Sequence, residues 1–256
     1  MLALLVTAAR AQEAAAEVEP RTGEFSPEGY VLEPVAGGSG VHLATGSVVG
    51  GDGATTAVTL RGRIRLGDAA LVVGVPFATW RTADGRDAGL GNLSVGGWLP
   101  AGERGALGVV GHVPLGGRAW TWVNEVEELW PGVGLDVVYR GDQPVSDRVS
   151  FLGRVSGGVH TSGGYEPVPG LYAKVGAAGG LDVAVHDRVG LVAEGSFAWW
   201  DTSPLDVAAL VRADTQGFRV RGGLLLPLAS WTGAQPAPVP AGIREATLRL
   251  DLAAQW

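Results

Sequence analysis

Residues 244–256 read REATLRLDLAAQW. Successive side chains of an extended strand point to opposite faces. Ala246, Leu248, Leu250, Leu252, Ala254 and Trp256 therefore share one face, and Thr247, Arg249, Asp251, Ala253 and Gln255 share the other. The stretch predicts a strand with one wholly apolar side and one polar side, ending on an aromatic. It poses the question that decides the fold: which of the two faces meets water.

The same alternation recurs upstream. In AVTLRGRIRLG, Val58, Leu60, Ile64 and Leu66 oppose Thr59, Arg61, Arg63 and Arg65. In LYAKVGAAGGLDVAV, Leu171, Ala173, Val175, Leu181, Val183 and Val185 hold one face, with Lys174 and Asp182 on the other. In QGFRVRGGLLLP, Phe218, Val220, Leu224 and Leu226 oppose Arg219 and Arg221. Twelve such segments are expected, near 40–50, 54–66, 69–80, 88–99, 105–116, 131–140, 147–160, 169–185, 189–200, 204–214, 217–229 and 243–256. Long helical periodicity is missing throughout. Globular strands usually run about 5–6 residues, whereas a tilted membrane strand needs about 9–11 in the apolar zone. Segment length therefore favours a membrane barrel over a soluble sandwich whose polar faces lie in water.

Composition agrees. Only 18% of the 256 residues are charged, below the roughly 25% of ordinary soluble domains, and mean hydropathy is +0.20. Yet no run of apolar residues is long enough for a membrane helix. The absence of cysteine excludes a disulfide scaffold, a thiolate metal site and a lipid-modified cysteine within these residues. The net charge of -7 argues against nucleic acid as a partner. The 42 glycines suit a barrel, in which close approach and sharp coiling are needed at closure.

The connections alternate in length. Gly67-Asp68, Pro100–Arg104, Gly141–Ser146, His186–Arg188 and Thr215-Gln216 are short and fall on one side. Arg81–Asp87, Gly117–Trp130, Thr161–Val168 and Ser230–Gly242 are longer and fall on the other, where Gly51–Gly53 and Asp201–Ser203 are short exceptions. Short turns at one rim and long loops at the other characterise outer-membrane barrels. Trp80, Trp199, Trp200 and Trp231 at the long-loop rim, with Trp98 and Trp256 at the short-turn rim, are expected to form aromatic girdles. The expected fold is an all-β, antiparallel, up-and-down transmembrane barrel of about 12 strands over 40–256.

Two segments precede it. Residues 1–11 have a short apolar stretch and the small-x-small form Ala9-Arg10-Ala11, expected to be a signal peptide, though no basic region precedes it. Residues 12–39 carry Glu13, Glu17, Glu19, Glu24, Glu28 and Glu33 against Arg21. They are expected to be either a solvated periplasmic tail or an acidic plug entering the lumen.

Three resemblances bear on function. The alternating terminal strand ending on an aromatic resembles the C-terminal signal of Gram-negative outer-membrane proteins, with Trp256 where Phe is commoner; the resemblance implies recognition by the barrel-assembly machinery. DAGLGNLSVGGWLP, residues 87–100, resembles the G-x-G-D-x-x-x-G strand of porin-like barrels, including the transporter family associated with aromatic-compound (phenol) degradation pathways. Gly89, Gly91 and Gly96 match, and Asn92 replaces the usual Asp. GVVGHVPLGG, residues 108–117, resembles the strand that follows in those proteins. His160-Thr161-Ser162 resembles the H-x-S of lipid A deacylases, but Lys174 stands where that family places a Glu, and Glu166 lies in a loop.

Parity assigns the lumen. Arg61, Arg63, Arg65, Arg154, Lys174, Glu194, Arg219, Arg221, Arg249 and Asp251 are the expected solute-pathway residues. Arg140, Arg148, Arg212, Asp136, Asp182 and Asp206 share the inward parity, and basic residues outnumber acidic ones. His42, His112 and His186 stand alone in the sequence, without metal-ligand spacing. The reading is a non-enzymatic channel or transporter in the cell outer membrane for small, anionic or aromatic-acid solutes, with lipid around it and no cofactor. A lipid hydrolase and a non-conducting structural or adhesive barrel are the alternatives. The loop GRAWTWVNEVEELWP, with Trp120, Trp122 and Trp130 around Glu125, Glu127 and Glu128, is expected to be either a constriction or a surface loop.

Overall fold

The alternating segments become strands because no other regular structure places residues i, i+2 and i+4 on one surface. The structure, a computed structural model, describes residues 39–50, 53–82, 85–115, 132–161, 170–199, 202–215, 217–232 and 246–256. The strands are β1 (Gly40–Gly50), β2 (Gly53–Leu66), β3 (Ala69–Thr82), β4 (Gly85–Leu90), β5 (Asn92–Pro100), β6 (Gly105–Pro114), β7 (Gly134–Ser146), β8 (Val149–Thr161), β9 (Leu171–His186), β10 (Val189–Trp199), β11 (Thr202–Thr215), β12 (Phe218–Thr232) and β13 (Thr247–Gln255).

β4 and β5 are successive halves of one position in the wall. β4 pairs with the end of β3, from Phe77↔Leu90 to Thr82↔Gly85, and β5 pairs with its beginning, from Ala70↔Trp98 to Gly74↔Ser94. The ladder breaks where β3 carries Pro76, which has no N–H to donate; its carbonyl instead accepts from Gly91 N at 3.0 Å. With β4 and β5 counted together the wall has twelve positions, as the periodicity predicts. β2 pairs with β3 and β1 pairs with both β2 and β13, so the sheet closes. At the seam Trp256 N donates to Ser39 O at 3.0 Å. Closure leaves no sheet edge among the described residues except beside β4, which pairs only with β3; a wall facing hydrocarbon needs its edges paired in this way.

The short connections are short as expected. Gly67 and Gly102 adopt φ of 65° and 83°, the left-handed region in which a side chain would be strained. Two boundaries differ from expectation. Arg81–Asp87 is not a longer loop, because β3 runs to Thr82 and β4 begins at Gly85, with Arg81 paired to Arg86. Gly141–Ser146 is not a turn but the end of β7, pairing with β8 out to Ser146↔Val149. The reversal therefore falls at Asp147-Arg148, and Arg148 is an exposed turn residue rather than a lumen residue.

The faces sort as parity demands. Leu60, Ile64, Val155, Leu191, Val211 and Leu248 are each more than half exposed, while Arg221 and Asp251 are 1% exposed. An apolar outer band with a buried polar interior is the reverse of a soluble domain, and so large an exposed apolar surface marks contact with lipid. Trp256 belongs to the outer face at 74% exposure. Trp98 does not. It lies on the interior parity with Asn92, Ser94 and Gly96 and is 9% exposed, which corrects its assignment to the girdle. The side chains of Trp80, Trp199, Trp200 and Trp231, the loop tryptophans, and the 1–11 and 12–39 segments up to residue 38 lie outside the described residues.

Candidate functional site: the charged interior

Four groups of polar side chains occupy the interior among the described residues. The largest lies around the seam. Arg221 on β12 donates from Nη2 to Asp251 Oδ2 at 3.0 Å and from Nη1 to Glu194 Oε1 at 3.3 Å. Arg221 and Asp251 are direct cross-strand partners, whereas Glu194 lies on β10, two strands away. Arg249 shares Asp251, donating at 3.1 Å, and approaches Glu194 Oε2 to 4.0 Å. Beyond the seam, His42 pairs across the sheet with Arg61, which carries the charge onto β2.

A second chain of pairs adjoins it. Arg212 grips Asp182 through two nitrogens, each at 2.9 Å, the planar fork that suits guanidinium and carboxylate. Arg212 also contacts Asp214, which accepts from Arg219 Nε at 2.6 Å. Glycines make room for these groups. A Cβ on Gly190 would stand 2.5 Å from Arg212 Nη2, and one on Gly180 would stand 3.0 Å from Glu194 Cγ. On the long-loop side of Arg212, an apolar cluster of Leu152, Val192, Ala208, Leu210 and Leu225 lines the same wall.

Nearer the short-turn rim, the Arg140 guanidinium lies 3.8 Å from the Trp98 ring centroid, within cation–π range. The indole sits over Gly108, where a Cβ would collide with the ring. Arg104 pairs with Asp142 at 3.4 Å beside them.

The fourth group is at the opposite rim. Asp136 accepts from His112 Nε2 through Oδ2 and from His160 Nε2 through Oδ1, both at 2.9 Å. The imidazole centroids are 5.6 Å apart, and the Tyr172 ring stacks on His160. Gly134 and Gly158 border the group; a Cβ on either would strike the His160 ring or the Asp136 carboxylate.

The expected lumen residues are thus placed as follows. Arg61, Glu194, Arg221, Arg249 and Asp251 are buried; Arg63, Arg154, Lys174 and Arg219 are half-buried; Arg65 is exposed at the short-turn rim, where its Nε donates to Gly67 O. The structure joins Glu194, Arg221, Arg249 and Asp251 into one network and leads Arg219 into another. Asp142 and Asp214 were missed, although both share inward parity with Arg140 and Arg212. The histidine pair was missed as well. Parity shows His112 and His160 facing inward, but only the register, with His112 and His160 both opposite Gly134, brings them onto one carboxylate. His160 faces Asp136 in the interior, whereas a lipid substrate would lie against the outer face. Ser162 and Glu166 lie outside the described residues, as does the side chain of Asp206.

No protein-family model matches the chain, and no curated protein matches it. Solved structures do. An outer-membrane channel from Pseudomonas putida F1 aligns with a TM-score of 0.61 at 11% identity, over 91% of this chain and 100% of that one. The NanC porin aligns with a TM-score of 0.50 at 9% identity, over 85% and 100%. Identities this low speak to the fold. This chain has the fold of the outer-membrane β-barrel channels.

Proposed function

We propose that the protein is an outer-membrane channel through which small solutes diffuse, with a preference for anions. The observation that carries this reading is the closed wall of twelve positions with an apolar outside and a charged inside. Such a wall keeps its polar side chains away from lipid, and a barrel of this size can enclose a polar path. The fold shared with the P. putida channel and the NanC porin supports it. Anion preference rests on the interior guanidinium and ammonium groups of Arg61, Arg63, Arg140, Arg154 and Lys174. They lower the electrostatic cost of a negative solute at close quarters. Aromatic acids are the finer candidates, because Arg140 and Trp98 pair a cation with an aromatic face inside the barrel.

The test is reconstitution into a planar bilayer across a KCl gradient. The expected result is steady conductance with a reversal potential displaced toward that of chloride. A protein folded in the bilayer that passes no current overturns the channel reading; cation preference overturns the role of the basic residues alone.

Trp256, at the rim of the seam with its side chain on the outer face, is proposed as the assembly signal. Its deletion is expected to lower the amount of folded, heat-modifiable barrel in outer membranes several-fold, while the barrels that do insert keep the wild-type reversal potential. Unimpaired insertion would count against that role.

A further inference from the structure

The His112–Asp136–His160 group plays no part in the anion argument above, yet it is built with care. Three adjacent strands each deliver one member, two glycines clear space for it, and it stands at the rim opposite the short turns. We infer that this group is a charge-selectivity site whose sign is set by protons, making ion preference depend on the pH at that mouth. The inference rests on the channel reading.

The chemistry is simple. Imidazole ordinarily changes charge between pH 5 and 8, and no other unperturbed side chain does so. With both rings neutral, each donates its Nε2 proton to Asp136, and the group carries the single negative charge of the carboxylate. With both protonated, the same two hydrogen bonds persist through the same atoms, and the group carries one positive charge. Two positive charges are gained without any rearrangement. The groups around it do not cancel this change. On β5, Ser94 pairs opposite His112 and is neutral. On β9, Tyr172 stacks on His160, and Lys174 pairs opposite Gly158, next to Asp136. The carboxylate is thus the negative member of the cluster, and acid turns the mouth positive.

A pathway a few side chains wide feels such a change strongly, because low-dielectric walls focus the field. With both imidazoles neutral, the carboxylate offsets nearby basic charge at this rim. With both protonated, the mouth joins the basic residues further in.

The experiment measures reversal potential across a KCl gradient with the loop-side chamber at pH 7.5 and then at pH 5.0. For the wild type, the chloride-to-potassium permeability ratio is expected to rise roughly threefold or more on acidification. In H112Q/H160Q, which keeps side chains able to hydrogen-bond Asp136, the ratio is expected to stay flat. H112Q and H160Q singly should each keep about half of the step on a logarithmic scale, which serves if the double variant does not fold. H186Q, at the exposed end of β9 on the short-turn rim, should respond as the wild type does. A wild type with no pH step, or a double variant that retains the whole step, overturns the inference while leaving the channel reading intact. Absence of current at every pH overturns both.

Discussion

Arg221→Met is expected to cost about 3–5 kcal/mol of barrel stability, the penalty for breaking a buried ion pair by removing one partner. Arg221 is 1% exposed and its two bonds hold Glu194 and Asp251, themselves nearly sealed from water. Methionine fills much of the volume but supplies no donor. Two buried carboxylates would then compete for Arg249, which lies 3.1 Å from Asp251 but 4.0 Å from Glu194. The loss therefore measures the stranded carboxylates more than the intact pair, and a compensating change distinguishes the two. R221M/E194Q removes one stranded charge and is expected to recover a substantial part of the loss. Arg221→Lys keeps the charge but not the fork, and should fall between. Urea unfolding of the protein in liposomes, followed by tryptophan fluorescence, reads all three. An R221M midpoint equal to the wild type would mean that the network does not hold the seam.

The fold was legible because a barrel wall repeats one rule. Every strand must keep charge off the face that meets lipid, so parity alone assigns Arg249 and Asp251, Arg219 and Arg221, Lys174 and Asp182 to the interior. The errors came where position along a strand was allowed to outrank parity. Trp98 stands near a strand end, yet Leu93, Val95 and Leu99 occupy the opposite face of the same strand, which already sends the indole inward beside Asn92 and Ser94. Arg148 was lost to the interior by a boundary: β7 runs six residues further than expected, from 140 to 146, and the turn takes Arg148 with it. Pairings were beyond reach for a different reason. Glu194 and Arg221 are 27 residues apart on strands that do not touch in the sheet, and Asp136 is 24 residues from each of its histidines. Joining them requires the register, and the register depends on where loops of unequal length begin. Counting basic residues against acidic ones likewise hid how they are used. Arg212, Arg221 and Arg249 each lie against carboxylates, so part of the positive charge is spent on holding the wall together. What favours a solute anion is the balance that remains.

Val155→Arg is the complementary experiment, because it asks what the outer face touches. Val155 is at the centre of β8, 54% exposed, between Tyr139 on β7 and Ala177 on β9. Its chain neighbour Arg154 points inward and is half-buried. If the outer face met water, replacing an exposed valine by arginine would change stability by no more than about 0.5 kcal/mol, as at ordinary surface sites. Against hydrocarbon near the bilayer midplane the same change costs about 2–4 kcal/mol. The contrast is large because valine gains from leaving water while the guanidinium loses its hydration on entering lipid. Depth gives the control. Leu66→Arg, at the short-turn end of β2 and 59% exposed, offers the same chemistry at the rim, where the cost falls to about 0–1 kcal/mol. Reversible urea titration of each variant in lipid vesicles should therefore show a large loss for V155R and a small one for L66R. Equal small losses at both positions would mean that the exposed apolar band lies in water, and the membrane-spanning reading of the barrel would fall with it.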